Sequence, residues 1–203
     1  MFKQRIILFA PLFYGYWKHI KDALEKQGFE VSFVTYRMGK WGDTFNSLKS
    51  PLNQEKKYAD VIFERLKKLE GNWDYLIVIK GNYFTEKHLS YLKRQNPDIK
   101  TIMYQWDSIN NNDYTGLAFQ FHKVFTFDFK DAEDCGYNYL PLFYTNDINP
   151  INPGFFEDID LLLVGLYNKP RYEYLRRLEE LKKIVNVRTY SSSNVISEKT
   201  VIK

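Results

Sequence analysis

The chain has 203 residues, room for one large domain or for one domain and part of another. Apolar residues make up 44% and aromatics 18%, which excludes disorder as a global state. The net charge of +4 is mild and its lysines alternate with acids, as in Glu64-Arg65-Leu66-Lys67-Lys68, so no nucleic-acid partner is expected.

Cys135 stands alone, so no internal disulfide can form, and a reducing, cytoplasmic setting is the expectation. The apolar run at residues 5–10 is too short for a signal sequence or a membrane span. Membrane contact is therefore expected to be at most peripheral, at the inner face. That run reads instead as a first buried strand. Trp17, Ile20 and Leu24 then recur at helical spacing, and Gly28 supplies the stop. Residues 30–36 give a second strand, and residues 37–53 read as a polar, glycine-containing segment. Tyr58, Ile62, Leu66 and Leu69 mark a second helix. Residues 74–80 form a third strand, and residues 82–97 hold a third helix with Thr85 as N-cap.

Two more strands follow at residues 99–104 and 123–127, with a short aromatic segment between them. Residues 131–135 allow at most a short helix, and residues 137–144 are extended, with Pro141 suited to an edge. Continuous apolar strands alternating with helices predict an α/β fold, a Rossmann-like parallel sheet with helices on both faces. The turn-rich stretch from Thr145 to Gly154 predicts a boundary, giving domains at 1–150 and 151–203. The second begins with a strand at 160–165, continues with a helix from Pro170 to about Val185, and adds a strand at 187–190.

Open parallel sheets bind ligands outside the carboxyl ends of their strands. After the first strand come Tyr14 and Trp17, rings that either stack on a sugar or close the top of the domain by packing. No G-x-G-x-x-G is present there. After the third strand lie Lys80, Gly81 and Asn82. After the fourth comes Tyr104-Gln-Trp-Asp107-Ser108, where a carboxylate beside an indole is either a general base or a turn and helix cap. Asp128, at the end of the fifth strand, reads as a cap. His19, His88 and His122 lack metal-ligand spacing among themselves and with Cys135, so no metal site is expected. Gly165 ends an apolar strand, and Arg171 sits in the first turn of the following helix. There it either meets a phosphate or pairs with an acid such as Glu173.

Tyr104-Gln-Trp-Asp107-Ser, Lys123-Val-Phe-Thr-Phe-Asp128, Tyr139-Leu-Pro-Leu-Phe-Tyr144 and Asp160-Leu-Leu-Leu-Val-Gly165 with Arg171 together resemble bacterial polysaccharide- and lipopolysaccharide-biosynthesis glycosyltransferases of GT-B fold, within the CgeB-like group. The resemblance runs best from about Ile99 to Leu181. It implies sugar transfer between two Rossmann-like domains, with a nucleotide-diphosphate sugar as donor substrate, a saccharide or lipid-linked acceptor, and neither a cofactor nor a bound metal. On that likeness residues 1–150 are the acceptor side, with Tyr14, Trp17, Asn82 and Ser108 binding acceptor and Asp107 as catalytic base. Residues 151–203 are the incomplete start of the donor domain, with Gly165 and Arg171 at the nucleotide. A truncated chain without activity of its own is part of that expectation. The rival reading is a non-catalytic α/β binding or regulatory module.

Overall fold

The computed structural model describes residues 3–144, 161–164, 173 and 187–190. The chain divides into two units, Met1–Asn146 and Asp147–Lys203. In the first unit the elements run β1 (Arg5–Phe9), α1 (Tyr16–Lys26), β2 (Glu30–Val34), α2 (Lys40–Ser47), α3 (Pro51–Lys67), β3 (Tyr75–Ile79), α4 (Glu86–Gln95), β4 (Lys100–Gln105), α5 (Thr115–Ala118), β5 (Lys123–Thr126), α6 (Phe129–Cys135) and β6 (Asn138–Tyr139). All six strands are parallel, in the order β2-β1-β3-β4-β5-β6. This is the predicted α/β parallel sheet.

Side chains alternate across a strand, so β1 feeds two cores. Ile7 and Phe9 face one way, with Leu76, Val78, Met103 and Val124 from neighbouring strands, and meet Ile62 and Leu66 of α3 and Leu89 and Leu92 of α4. Ile6, Leu8 and Ala10 face the other way with Val31 and Ile79, and are covered by Trp17, Ile20 and Leu24 of α1. Helices therefore cover both faces. Residues 6–9 of β1 are fully buried, which is why the strand beyond Arg5 is continuously apolar instead of alternating.

Two helices depart from the sequence pattern. Helix α2 lies inside the segment read as polar and irregular, because the residues it buries are Asp43 and Asn46 and leave no apolar stripe. Helix α3 starts at Pro51, well before the first apolar marker, since its first turns are exposed and proline suits the first helical position. Gly28 follows α1 at φ 94°, as a helix-stopping glycine should. Asp128 caps α6, its Oδ1 accepting from the amides of Lys130 and Asp131 at 2.9 and 3.1 Å.

In the second unit β7 (Leu161–Val164) and β8 (Val187–Tyr190) pair in parallel. These match the two strands expected there. The linker at 145–154, the helix expected from Pro170, Gly165 and Arg171 lie outside the described residues.

Candidate functional site

The sheet order reverses direction at β1, whose neighbours are β2 on one side and β3 on the other. The loops leaving the carboxyl ends of β1 and β3 part there, and that divergence opens a crevice. Three non-glycine residues of the described chain have positive φ: Tyr14 at 45°, Lys80 at 60° and Tyr83 at 61°. All three lie in these two loops. Each left-handed backbone costs about 1–2 kcal/mol, so the surrounding fold is holding strain at this edge. Gly81, at φ 64°, is the one residue in the Lys80–Tyr83 turn whose type announces such a conformation.

Lys80 is fixed at three points. Its amide donates to the carbonyl of Tyr104 at 3.0 Å, its carbonyl accepts from Asn112 Nδ2 at 3.5 Å, and its ammonium lies 2.7 Å from Asp107 Oδ2. Both partners of that ion pair are partly buried, their side chains 20% and 31% exposed. The same ammonium stands 5.7 Å from the centre of the Phe13 ring. Lys80 thus joins the loops after β1, β3 and β4.

The loop carrying Asp107 is itself tied down. The Ser108 carbonyl accepts from the amides of Asn111 and Asn112, closing a turn. Asp131 of α6, which is buried, accepts from the amide of Ile109 at 2.8 Å and from the Tyr114 hydroxyl at 3.1 Å. Burial raises the pKa of Tyr114, so its phenol stays a donor. On the outer side Trp106 meets Tyr16, Tyr104 and Phe143 at ring separations of 6.1, 6.0 and 5.7 Å. Gln105, fully buried at the end of β4, has no protein partner for either atom of its carboxamide and lies against Gly81.

A groove of ≈ 300 Å³ runs along this edge between Pro11-Leu-Phe-Tyr14 and the Tyr36–Arg37 pair. Tyr14 is 75% exposed, and its ring packs edge-on against Phe13 at 4.4 Å. On the opposite wall, Tyr36 contacts Tyr58 and Tyr83 at 5.2 and 4.8 Å. Burial, and then the neighbouring phenol, raise the pKa values of Tyr36 and Tyr83, so both remain neutral hydroxyls at physiological pH. A larger cavity of ≈ 420 Å³ opens at the amino ends of β3 and β4, lined by Gln4, Trp73, Asp74 and Lys100 among others. It lies at the edge opposite the strained loops, where a parallel sheet does not ordinarily bind its ligand.

Tyr14, Asn82, Asp107 and Ser108 therefore share one edge of the sheet, all in loops that follow β1, β3 and β4. Trp17 differs: its ring stacks on Phe33 at 3.9 Å and covers the α1 face of the sheet. Arg37, Asp43 and Asp131 escaped sequence reasoning. Asp131 carried a faint signal, three residues after a helix-capping aspartate.

No family model matches the chain, and no curated protein does either. Among solved structures, the chain is similar to a Streptomyces sp. SF2575 protein, the glycosyltransferase SsfS6 in complex with thymidine diphosphate. The TM-score is 0.47 and the identity 13%, over 96% of this chain and 70% of that one. A likeness of that size does not carry ligand or activity across. Among the described residues no helix is long and apolar enough to cross a membrane, and no group of His, Cys, Asp and Glu is arranged to hold a metal.

Proposed function

We propose that residues 1–150 form the acceptor side of a nucleotide-sugar-dependent glycosyltransferase, acting in bacterial cell-surface polysaccharide or lipopolysaccharide assembly. The observation that carries this reading is the Lys80–Asp107 pair, held beside exposed aromatic rings at the carboxyl edge of the sheet. The resemblance of the segment around Asp107 to polysaccharide-biosynthesis glycosyltransferases supports it from sequence.

Sugar transfer needs a base for the acceptor hydroxyl, apolar faces for sugar rings, and a grip on the leaving diphosphate. Asp107 accepts the proton as the acceptor oxygen bonds to the anomeric carbon. The bond to the nucleoside diphosphate breaks in the same step, and its electron pair leaves with the diphosphate. Lys80 orients the carboxylate by occupying Oδ2, which leaves Oδ1 for the hydroxyl. Tyr14, Asn82 and Ser108 contact the acceptor, and Trp17 supports them from the α1 face. Gly165 and Arg171 are assigned the donor pyrophosphate from sequence alone.

The test is release of nucleoside diphosphate by the full-length protein, supplied with nucleotide sugars and saccharide acceptors. Asp107→Asn is expected to lower kcat by about 10²- to 10⁴-fold with the donor KM unchanged. Turnover at the wild-type rate in that variant overturns Asp107 as base. Binding without turnover in the wild-type protein favours the non-catalytic module.

A further inference from the structure

We infer that the groove between Pro11–Tyr14 and Tyr36–Arg37 binds a sugar unit bearing a negative charge, a carboxylate or a phosphate. The inference rests on the acceptor-side reading above and names the class of acceptor that reading leaves open. Three observations carry it.

First, the groove is two-faced. One wall is apolar and aromatic, made of Leu12, Phe13 and Tyr14, while the other is formed by Tyr36 and Arg37. Pyranose rings have one such apolar face and a rim of hydroxyls, and a volume of ≈ 300 Å³ lies at the small end of ligand pockets. The site therefore suits a single ring unit. Tyr14 is presented from a left-handed backbone at φ 45°, conformational energy spent on holding an exposed ring at the groove.

Second, Arg37 is positioned from behind. Its Nε lies 2.9 Å from Oδ2 of Asp43, a buried carboxylate whose Oδ1 accepts from the amide of Met38 at 3.1 Å. Its carbonyl accepts from Arg65 Nη2 at 2.8 Å. The side chain remains 45% exposed, and Arg37 is one of the residues that line the groove. An arginine ion-paired at Nε can turn its two terminal nitrogens to another partner, and that fork matches a carboxylate or phosphate.

Third, the groove adjoins the proposed base. Phe13 lines the groove, and its ring centre is 5.7 Å from the ammonium that binds Asp107. A sugar whose acidic substituent meets Arg37 can extend its far rim past Phe13 toward Asp107.

The test uses three probes with the same ring: methyl glucoside, methyl glucuronide and methyl glucoside 6-phosphate. Their binding to the full chain is measured by calorimetry or ligand-observed NMR. At least one anionic probe is expected to bind tenfold or more tightly than the neutral glucoside, and the better one separates carboxylate from phosphate. Arg37→Gln should abolish the preference, Arg37→Lys should restore part of it, and Tyr14→Ala should weaken every probe. Unchanged thermal melting of the Arg37 variants shows that the fold is kept. Equal affinity for all three probes, or a preference surviving Arg37→Gln, overturns the inference while leaving the glycosyltransferase reading intact. Absence of binding by both anionic probes also overturns it, and the transferase assay then judges the acceptor reading separately.

Discussion

The ammonium of Lys80 sits 2.7 Å from the carboxylate of Asp107, joining the loop after β3 to the loop after β4. Lys80 makes this contact from a backbone at φ 60°, where a lysine is unfavourable and a glycine is not. Lys80→Ala keeps the strain and loses the pair, whereas Lys80→Gly loses both. The glycine variant should therefore be more stable than the alanine variant by about 1 kcal/mol in urea unfolding. Both variants should lose turnover alike, because the pair is gone in each. A glycine variant that retains wild-type kinetics would show that Lys80 only closes a turn.

A second expectation concerns acid. His88 is buried in α4, with Nδ1 accepting from the Thr85 amide at 2.8 Å and Nε2 donating to the Ala59 carbonyl at 2.9 Å. Burial is the main cause holding its pKa below the ordinary histidine value. The unfolded chain therefore takes up this proton first. The contribution is complete above the unfolded pKa of about 6.5 and is lost as pH falls below it. Denaturation midpoints should drop between pH 7.5 and 5.5, and His88→Gln should flatten that part of the profile.

Arg5 supplies a third test at the opposite edge. Its Nη1 donates to the carbonyls of Glu70 and Asn72, each at 3.1 Å, and its guanidinium lies 4.0 Å from the Trp73 ring centre. Arg5→Lys keeps the charge but cannot reproduce the planar fork, so a loss of about 1–2 kcal/mol is expected. Gly71→Ala should act on the same contact. At φ 82° a Cβ there would collide with Arg5 Nη1, so the guanidinium must move. If the two act through that contact, the double variant should cost less than the sum of the singles in chemical denaturation.

The fourth concerns the Asp107 loop. Asp131→Ala leaves the Ile109 amide and the Tyr114 hydroxyl without their shared acceptor, a cost of about 2–3 kcal/mol. Proteolysis within residues 109–113 should accelerate before global unfolding does. Tyr114→Phe removes one of the two donors and should have the smaller effect.

The sheet was legible because strands buried on both faces are continuous apolar runs; β1, β3 and β4 were found to within a residue or two on that ground. Helix α2 was not, because its inward residues are Asp43 and Asn46. The loop carrying Asp107 was visible as a polar cluster at a strand end. Its partner Lys80 was visible only as a lysine at a strand end, since pairing depends on β3 and β4 being neighbours. Trp17 was open to two readings, a sugar platform or packing that closes the domain top, and the helix turns its ring onto Phe33. Arg37 gave no signal, because its tether is a buried aspartate in the helix that went unseen.

Among the described residues the sheet ends at β6, a strand of only Asn138 and Tyr139. Asn138 turns its side-chain amide back onto the Val124 carbonyl at 3.0 Å, and Pro141, just beyond, carries no N–H to offer. So short a border gives an incoming strand almost no ladder to extend. Among the described residues this side offers chains that meet along it little template for pairing, which guards the sheet there against edge-to-edge aggregation.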